Sequence, residues 1–414
     1  MQYRAMPAGG DRLSALGFGT MRLPLKEKRI DEERATRLIR DAIDAGINYI
    51  DTAMPYHNGE SESFLGRALA DGYREKVFLA TKLPPWSVHS RGDMDRLLAA
   101  QLAKLRTDYI DYYLIHSLTR QSWERMRDLG VIDFLEEAKA KGLVRHIGFS
   151  FHDSTEAFRE VVDAHSWDFC QIQYNILDEY HQAGTVGLEY AAARGLGIII
   201  MEPLRGGNLA RDVPDEVHAI EAGATVRRTP ADWALRWVWN RPEVTVVLSG
   251  MNDEAQVREN IRTAEDALAG SLTEEELVMM AQVRDVYRAR MLVNCTGCGY
   301  CMPCPFGVDI PGCFAHYNNY GLFGKNPAFH YYIGQMGGIM EKESYAGLCR
   351  RCGRCLEACP QHLPIPDLLQ DVSRTFEGPL FIILQPALKH LKGLYPHWTH
   401  LKNRRYTSRK TKEA

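Results

Sequence analysis

Asp51 and Tyr56 stand five residues apart in NYIDTAMPYHNGESESFLG, residues 48–66. The stretch alternates β-forming side chains up to Ala53 and then stops, and the loop after it opens on Pro55 and ends on Asn58-Gly59. A carboxylate thus closes a strand, with a phenol in the loop beyond. Lys82, His116, Ser150 and Gln173 close later apolar runs in the same way. A tyrosine hydroxyl, with an ordinary pKa of about 10, exchanges protons poorly at neutral pH unless a nearby cation favours its anion. Lys82 can be that cation, Asp51 can hold its ammonium, and Tyr56 becomes a usable acid–base group. His116 can orient a carbonyl oxygen beside the phenol. No serine or cysteine nucleophile with a basic partner is evident. The set suits protonation of an alkoxide as it forms, the proton half of carbonyl reduction, with the hydride coming from a cofactor. Taken singly, a buried Asp satisfied by loop amides, a Tyr packed for its ring and a Lys at a solvated tip are the plainer readings. Five polar strand ends in succession outweigh them.

A second chemistry follows further on. Of ten cysteines, Cys170 is alone, in an apolar run that makes it a buried small hydrophobe, and nine lie between residues 295 and 359. Cys295, Cys298, Cys301 and Cys304 precede Pro305; Cys349, Cys352, Cys355 and Cys359 precede Pro360. The second run has the C-x2-C-x2-C-x3-C-P spacing of bacterial-type ferredoxins, and the first is one residue shorter in its last gap. Three thiolates on one tight turn can cap three corners of a [4Fe-4S] cube. Tetrahedral zinc is the alternative, although it seldom uses three cysteines at consecutive two-residue gaps. Ile310-Pro311 and Ile365-Pro366 stand six and seven residues after Cys304 and Cys359, so the two runs are one unit repeated. In two-cluster ferredoxins the Cys before Pro ligates the other cluster. One [4Fe-4S] cluster is therefore expected on Cys295, Cys298, Cys301 and Cys359, and a second on Cys349, Cys352, Cys355 and Cys304, with Cys313 left free.

The elements that must position these groups alternate. Eight short β-rich runs, at 15–20, 48–53, 77–82, 109–116, 144–150, 169–174, 197–203 and 244–250, are each followed by a helical pattern. In the first helix Ala35, Leu38, Ile39, Ala42 and Ile43 share one face and Gly46 ends it. Eight such units predict an α/β fold, a (β/α)8 TIM barrel whose strand ends converge on one mouth. An open doubly wound sheet is the alternative, but no glycine fingerprint follows the first strand. Trp233 and Trp237 read as outer-layer packing, whereas Trp86 and Trp123, in loops after the third and fourth runs, could wall a substrate pocket. Helical starts at both Ile-Pro pairs, and 44 residues between the cysteine runs, predict a helical dicluster domain rather than a compact βαβ ferredoxin.

Over residues 1–290 the chain resembles the aldo/keto reductase superfamily, on LGFGTMRLP (16–24), GINYIDTAMPY (46–56), GESESFLGRAL (59–69), ATK ending in Lys82, YYLIH ending in His116, GFS (148–150), QIQYN (171–175) and SGMNDEAQVREN (249–260). The resemblance implies a tetrad of Asp51, Tyr56, Lys82 and His116, with Tyr56 as general acid, and a nicotinamide dinucleotide across the barrel mouth, usually NADP(H). Ser150 and Gln173 would hold its carboxamide, and Glu259 and Asn260 its adenine side. Further contacts are implied at Gly19, Thr20, Leu204, Gly206, Ser249, Gly250, Met251 and Gln256. Three positions depart from the pattern: Phe151 replaces an Asn, Met201 an aromatic that stacks on the nicotinamide, and Gln256 the basic residue for a 2′-phosphate, with Arg258 nearby. NAD(H) therefore remains open. The cysteine-rich region is similar to the C-terminal extension of a ferredoxin-bearing branch of the same superfamily.

With 414 residues, 45% hydrophobic and 25% charged, and a formal net charge of −3, the chain reads as a globular protein with nothing global that favours nucleic acid. MQYRAMPAGGDRLSALG carries no leader pattern, and LFIIL (380–384) is far short of the ~20 residues of a membrane span, so a cytoplasmic protein is expected. The expected domains are the barrel over 1–290, the dicluster domain over 291–375 and a basic tail over 376–414. From 371 to 414 nine Lys+Arg stand against three Asp+Glu, which fits either a solvated end or peripheral contact with anionic lipid or an acidic carrier. The expected partners are a small carbonyl or alcohol and a ferredoxin, flavin protein or other electron carrier. Clusters that are structural or sensory form the alternative.

Overall fold

Runs rich in Ile, Val, Leu and Tyr suit a sheet buried on both faces. In the computed structural model these runs form strands β1 (Leu16–Gly19), β2 (Tyr49–Asp51), β3 (Phe78–Leu83), β4 (Ile110–Leu118), β5 (Val144–Phe151), β6 (Phe169–Gln173), β7 (Gly197–Met201) and β8 (Val244–Ser249). Each pairs in parallel with its neighbour in sequence, and β8 returns to β1, so the sheet is a closed eight-stranded barrel. The structure describes residues 1–211, 213–323, 325–338, 342–379, 381, 384 and 385.

Alternation along the strands separates two packing layers. Tyr49, Ala80, Tyr112, Leu114, Phe169, Ile199, Val246 and Leu248 fill the interior, and Met6 and Leu13 join them. Leu13 belongs to a short antiparallel ribbon, Tyr3–Ala5 with Arg12–Ser14, and Met6 directly follows its first strand; the sequence did not betray this ribbon. A second ribbon, Leu25–Lys26 with Arg29–Ile30, was likewise missed. The outward strand residues meet the helices. In helix Glu32–Asp44 the buried residues are Ala35, Leu38, Ile39, Ala42 and Ile43, as expected, and the Asp31 side chain accepts from the Arg34 amide at its start. Gly66 lets helix Ser61–Ala68 cross the end of helix Arg91–Leu105: a Cβ there would lie 2.3 Å from the Lys104 carbonyl oxygen.

The chain divides into two compact units, one ending at Val286 and the other beginning at Tyr287. The second unit has no strand among its described residues. Its longer helices are Ile310–Phe323, Lys325–Gln335 and Ile365–Phe376, with one helical turn at Arg354–Glu357. Phe314, Tyr332, Val372 and Phe376 are the centre of its core, with the Tyr332 and Phe376 rings stacked at 4.5 Å. Fully burying such a side chain contributes roughly 1.5–3 kcal/mol. Most of the expected basic tail, residues 386–414, lies outside the described residues. No helix among the described residues is long and apolar enough to cross a membrane.

Candidate active site

Parallel strands that end together bring Asp51, Lys82 and His116 to one rim of the barrel. The Lys82 ammonium donates to both Asp51 carboxylate oxygens, at 2.7 and 2.6 Å, and to the Thr52 carbonyl at 2.8 Å. All three of its hydrogens are then assigned. Burial pushes the Lys82 pKa down against the pull of Asp51, and pushes the Asp51 carboxyl up against the pull of Lys82. Lys82 Nζ lies 5.2 Å from the centre of the Tyr56 ring. It therefore acts on the phenol through its charge, in surroundings of low dielectric. Tyr56 itself is 9% exposed and begins a short 3-10 turn in which His57 and Asn58 take left-handed backbone, φ 51° and 55°. The Leu23 amide donates to His57 Nε2 at 3.2 Å, which ties this turn to the segment after β1.

The His116 and Tyr56 rings meet edge to face, centroids 6.2 Å apart. Burial holds the His116 pKa well below the usual histidine range, with the Lys82 charge and His152 adding to the effect. The imidazole is neutral at pH 7 and presents one N–H. Trp86, 47% exposed, tilts against His116 at 5.2 Å and forms one wall of the mouth. Trp123 is buried against Trp167 and packs the outer layer instead. Trp233 is likewise buried, and Trp237 stacks on Tyr174.

Behind Lys82 lies a buried polar network that sequence reasoning did not find. Glu62 Oε1 accepts from Thr81 at 2.8 Å and from Gln101 at 2.7 Å, and Gln101 also donates to the Lys82 carbonyl and accepts from Tyr113. Thr20 bonds the Asp51 carbonyl and Ser61, so its hydroxyl fastens β1 to the site. Helical spacing in GESESFLG was the available signal, since it places Glu62 towards the barrel wall.

The residues expected around a cofactor are brought to the same rim with unequal freedom. Ser150 Oγ accepts from the Ser117 amide at 2.7 Å. The Gln173 amide donates to Asp178 at 2.7 Å, and Asp178 also takes Asn175 at 2.7 Å and the Arg205 guanidinium at 3.2 Å, all buried. Gln171, two residues earlier on the same inward face, keeps a buried carbonyl oxygen with no hydrogen-bond partner among the described residues. An unmet acceptor of this kind costs about 1–3 kcal/mol and marks a place for a donor. Leu204 and Gly206 shape the turn after β7, with Gly206 at φ 68°. Asn260 donates to Ser249 at 3.0 Å. Gln256 caps the Asn252 amide, and Glu259 accepts from Thr229. Met251 is buried in the outer core, and Gly19 and Gly250 leave room where β1 and β8 end, a Gly250 Cβ lying 3.3 Å from Arg22.

In the second unit the two cysteine runs take one backbone course. The Gly297 amide donates to Cys295 Sγ at 3.3 Å and the Arg351 amide to Cys349 Sγ at 3.4 Å. Both donors have left-handed backbone, φ 67° and 53°, as do Gly299 and Gly353 two residues on, φ 80° and 81°. Such turns aim successive N–H groups at an anion. Burial pushes the Cys301 thiol up, and the sulfurs that add to this are Cys298, Cys295 and Cys359. For Cys355, also raised first by burial, they are Cys349, Cys352 and Cys304. Each terminal cysteine thus keeps company with the other run. Cys313 is buried beside the Ser344 carbonyl and Tyr332. No group of three or more His, Cys, Asp or Glu among the described residues closes on a point fit for a single metal ion.

Residues 15–284 match the model of the aldo/keto reductase family. The chain belongs to that family. It is an oxidoreductase of aldo/keto reductase type, and residues 294–363 match a 4Fe-4S dicluster domain. Among its relatives, an uncharacterised oxidoreductase YqkF of Bacillus subtilis (strain 168) is 27% identical over 320 residues, 70% of this chain and 99% of that protein. An NADH-specific methylglyoxal reductase of Escherichia coli (strain K12) is 26% identical over 66% of this chain and 95% of its own length. The holo form of aldo-keto reductase AKR11C1 from Bacillus halodurans superimposes with a TM-score of 0.58 at 27% identity, over 68% of this chain and 96% of that one. None of these three alignments runs the length of this chain.

Proposed function

We propose that the barrel reduces a small carbonyl compound, or oxidises the matching alcohol, with a nicotinamide dinucleotide, and that two [4Fe-4S] clusters in the second unit carry single electrons. The observation that carries the first half is the buried Lys82–Asp51 pair beside the Tyr56 ring, with a neutral His116 across from it. Bound at the mouth, the nicotinamide supplies the hydride. Tyr56 holds the proton that the forming alkoxide takes, and the Lys82 charge favours the phenolate left behind. His116 donates its N–H to the carbonyl oxygen and fixes it beside the phenol. Ser150 and Gln171 hold the carboxamide; Gln173, already engaged by Asp178, stiffens the wall behind them. NADP(H) is the preferred cofactor, with the exposed Arg258 available to a 2′-phosphate. NAD(H) is the runner-up, since one relative is NADH-specific by name. Fluorescence titration with both is expected to show tighter NADPH; equal or tighter NADH reverses the preference. A cytoplasmic location belongs to the same reading.

The clusters, when bound, supply one-electron transfer. Cys295, Cys298, Cys301 and Cys359 hold one, and Cys349, Cys352, Cys355 and Cys304 the other, a division supported by the sulfur neighbours of Cys301 and Cys355. Hydride and single electrons do not exchange directly, so a flavin or a partner protein mediates. Anaerobically purified protein should contain about eight iron and eight sulfide per chain; about four of each means one cluster. A structural role for the clusters is the second reading, favoured by the packing of the cysteines against the core of this unit. Clusters that stay oxidised in a redox titration while carbonyl reduction proceeds decide for it.

A further inference from the structure

The two cysteine runs repeat in backbone but not in charge. CTGCGYCMPCP (295–305) has no charged side chain, whereas CRRCGRCLEACP (349–360) has three arginines and one glutamate. Arg350, Arg351 and Arg354 are exposed, and so is Cys352 between them, while Cys295, Cys298 and Cys301 are half-buried and Cys359 is buried. Arg351 is tied to Asp367. Neither Arg350 nor Arg354 has an ion-pair partner among the described residues. Both line one cavity with Cys304, Cys349, Cys352 and Cys355. Met302, Phe306 and Leu356, 36%, 44% and 43% exposed, add apolar surface in the same unit. Arginine with apolar side chains is the make-up of protein interfaces, and an unpaired positive rim steers an acidic partner. Nearby positive charge also favours the more reduced, more negative state of a cluster.

We propose that this face is the docking site of an acidic one-electron carrier protein, and that electrons pass through the cluster held by Cys304, Cys349, Cys352 and Cys355. The proposal rests on the reading that the clusters carry current. In the transfer the reduced carrier loses one electron and the oxidised cluster gains it; no bond forms or breaks and no proton moves. The face suits a protein that presents a carboxylate-rich patch around its own redox centre. Long-range attraction then sets the encounter rate, which falls as salt rises.

The test uses the full chain with its clusters loaded anaerobically, a reduced plant-type [2Fe-2S] ferredoxin as the acidic probe, and the variants Arg350→Glu/Arg354→Glu and Arg350→Gln/Arg354→Gln. Stopped-flow bleaching of the clusters by the ferredoxin should slow on the order of tenfold or more in the Glu pair, and by less in the Gln pair. The wild-type rate should fall with salt and the Glu pair's rate should not. Calorimetry should show the same order of ferredoxin affinity. Dithionite, which needs no docking, should bleach all three proteins alike. Equal ferredoxin rates in all three, or no exchange with the wild type although dithionite reduces it, overturns the docking face. Wild-type clusters that dithionite cannot reduce overturn the current-carrying reading beneath it.

Discussion

The Lys82 side chain is 0% exposed, and among the described residues Asp51 is the carboxylate in hydrogen-bond contact with it. Lys82→Met leaves that carboxylate buried without a counter-ion, which costs about 3–5 kcal/mol. Urea denaturation should show the loss, and adding Asp51→Leu should recover much of the stability but none of the turnover. His116 sets a pH dependence with a definite sign. Its pKa in the fold is below its unfolded value, so the unfolded chain binds more protons as pH drops past about 6.5, and this residue's contribution to stability is lost there. His116→Gln should flatten the fall in urea midpoint between pH 7.5 and 5; an unchanged slope contradicts the assignment. Asp51, Lys82 and His116 were legible as candidates because each closes an apolar run, and Tyr56 because it stands in the polar loop just after Asp51. Gln171 and Gln173 were not separable, since they share a face and only the folded loop shows that Asp178 engages the second.

Repetition made the second unit legible at the scale of elements. The two Ile-Pro helices, Ile310–Phe323 and Ile365–Phe376, were visible as starts at fixed distance from Cys304 and Cys359. The left-handed backbone at Arg351 was not, because arginine carries no signal for it where glycine at 297 does. The proposed crossed ligation makes a sharp prediction. Cys359→Ala should remove the cluster whose other ligands are Cys295, Cys298 and Cys301, and Cys304→Ala the other one, so each drops iron from about eight to about four per chain while Cys313→Ala leaves it unchanged. Iron and sulfide assay with electron paramagnetic resonance of the survivors checks this; identical spectra from the two ligand variants contradict it. In the barrel the ribbons Tyr3–Ala5 with Arg12–Ser14 and Leu25–Lys26 with Arg29–Ile30 escaped detection, since two or three residues are too few to display alternation.

Among the described residues hydrophobic clusters pack inside and around the barrel, and another packs around the cysteine loops. The eightfold alternation announced the barrel, and the repeated cysteine runs with their Ile-Pro pairs announced the second unit. What composition could not convey is that the cysteine sulfurs themselves pack against the second core. Stripping iron with an oxidant and chelator should therefore lower the helical circular dichroism by the share of the second unit, while the barrel still binds NADPH; loss of both together contradicts independent cores. In the barrel, a phenol held beside a buried ammonium is proposed as the proton donor to the forming alkoxide. Single-turnover oxidation of bound NADPH by an aldehyde in Tyr56→Phe tests it most directly. The rate should fall on the order of 10²–10⁴-fold with NADPH affinity intact, and a variant that keeps the wild-type rate contradicts it.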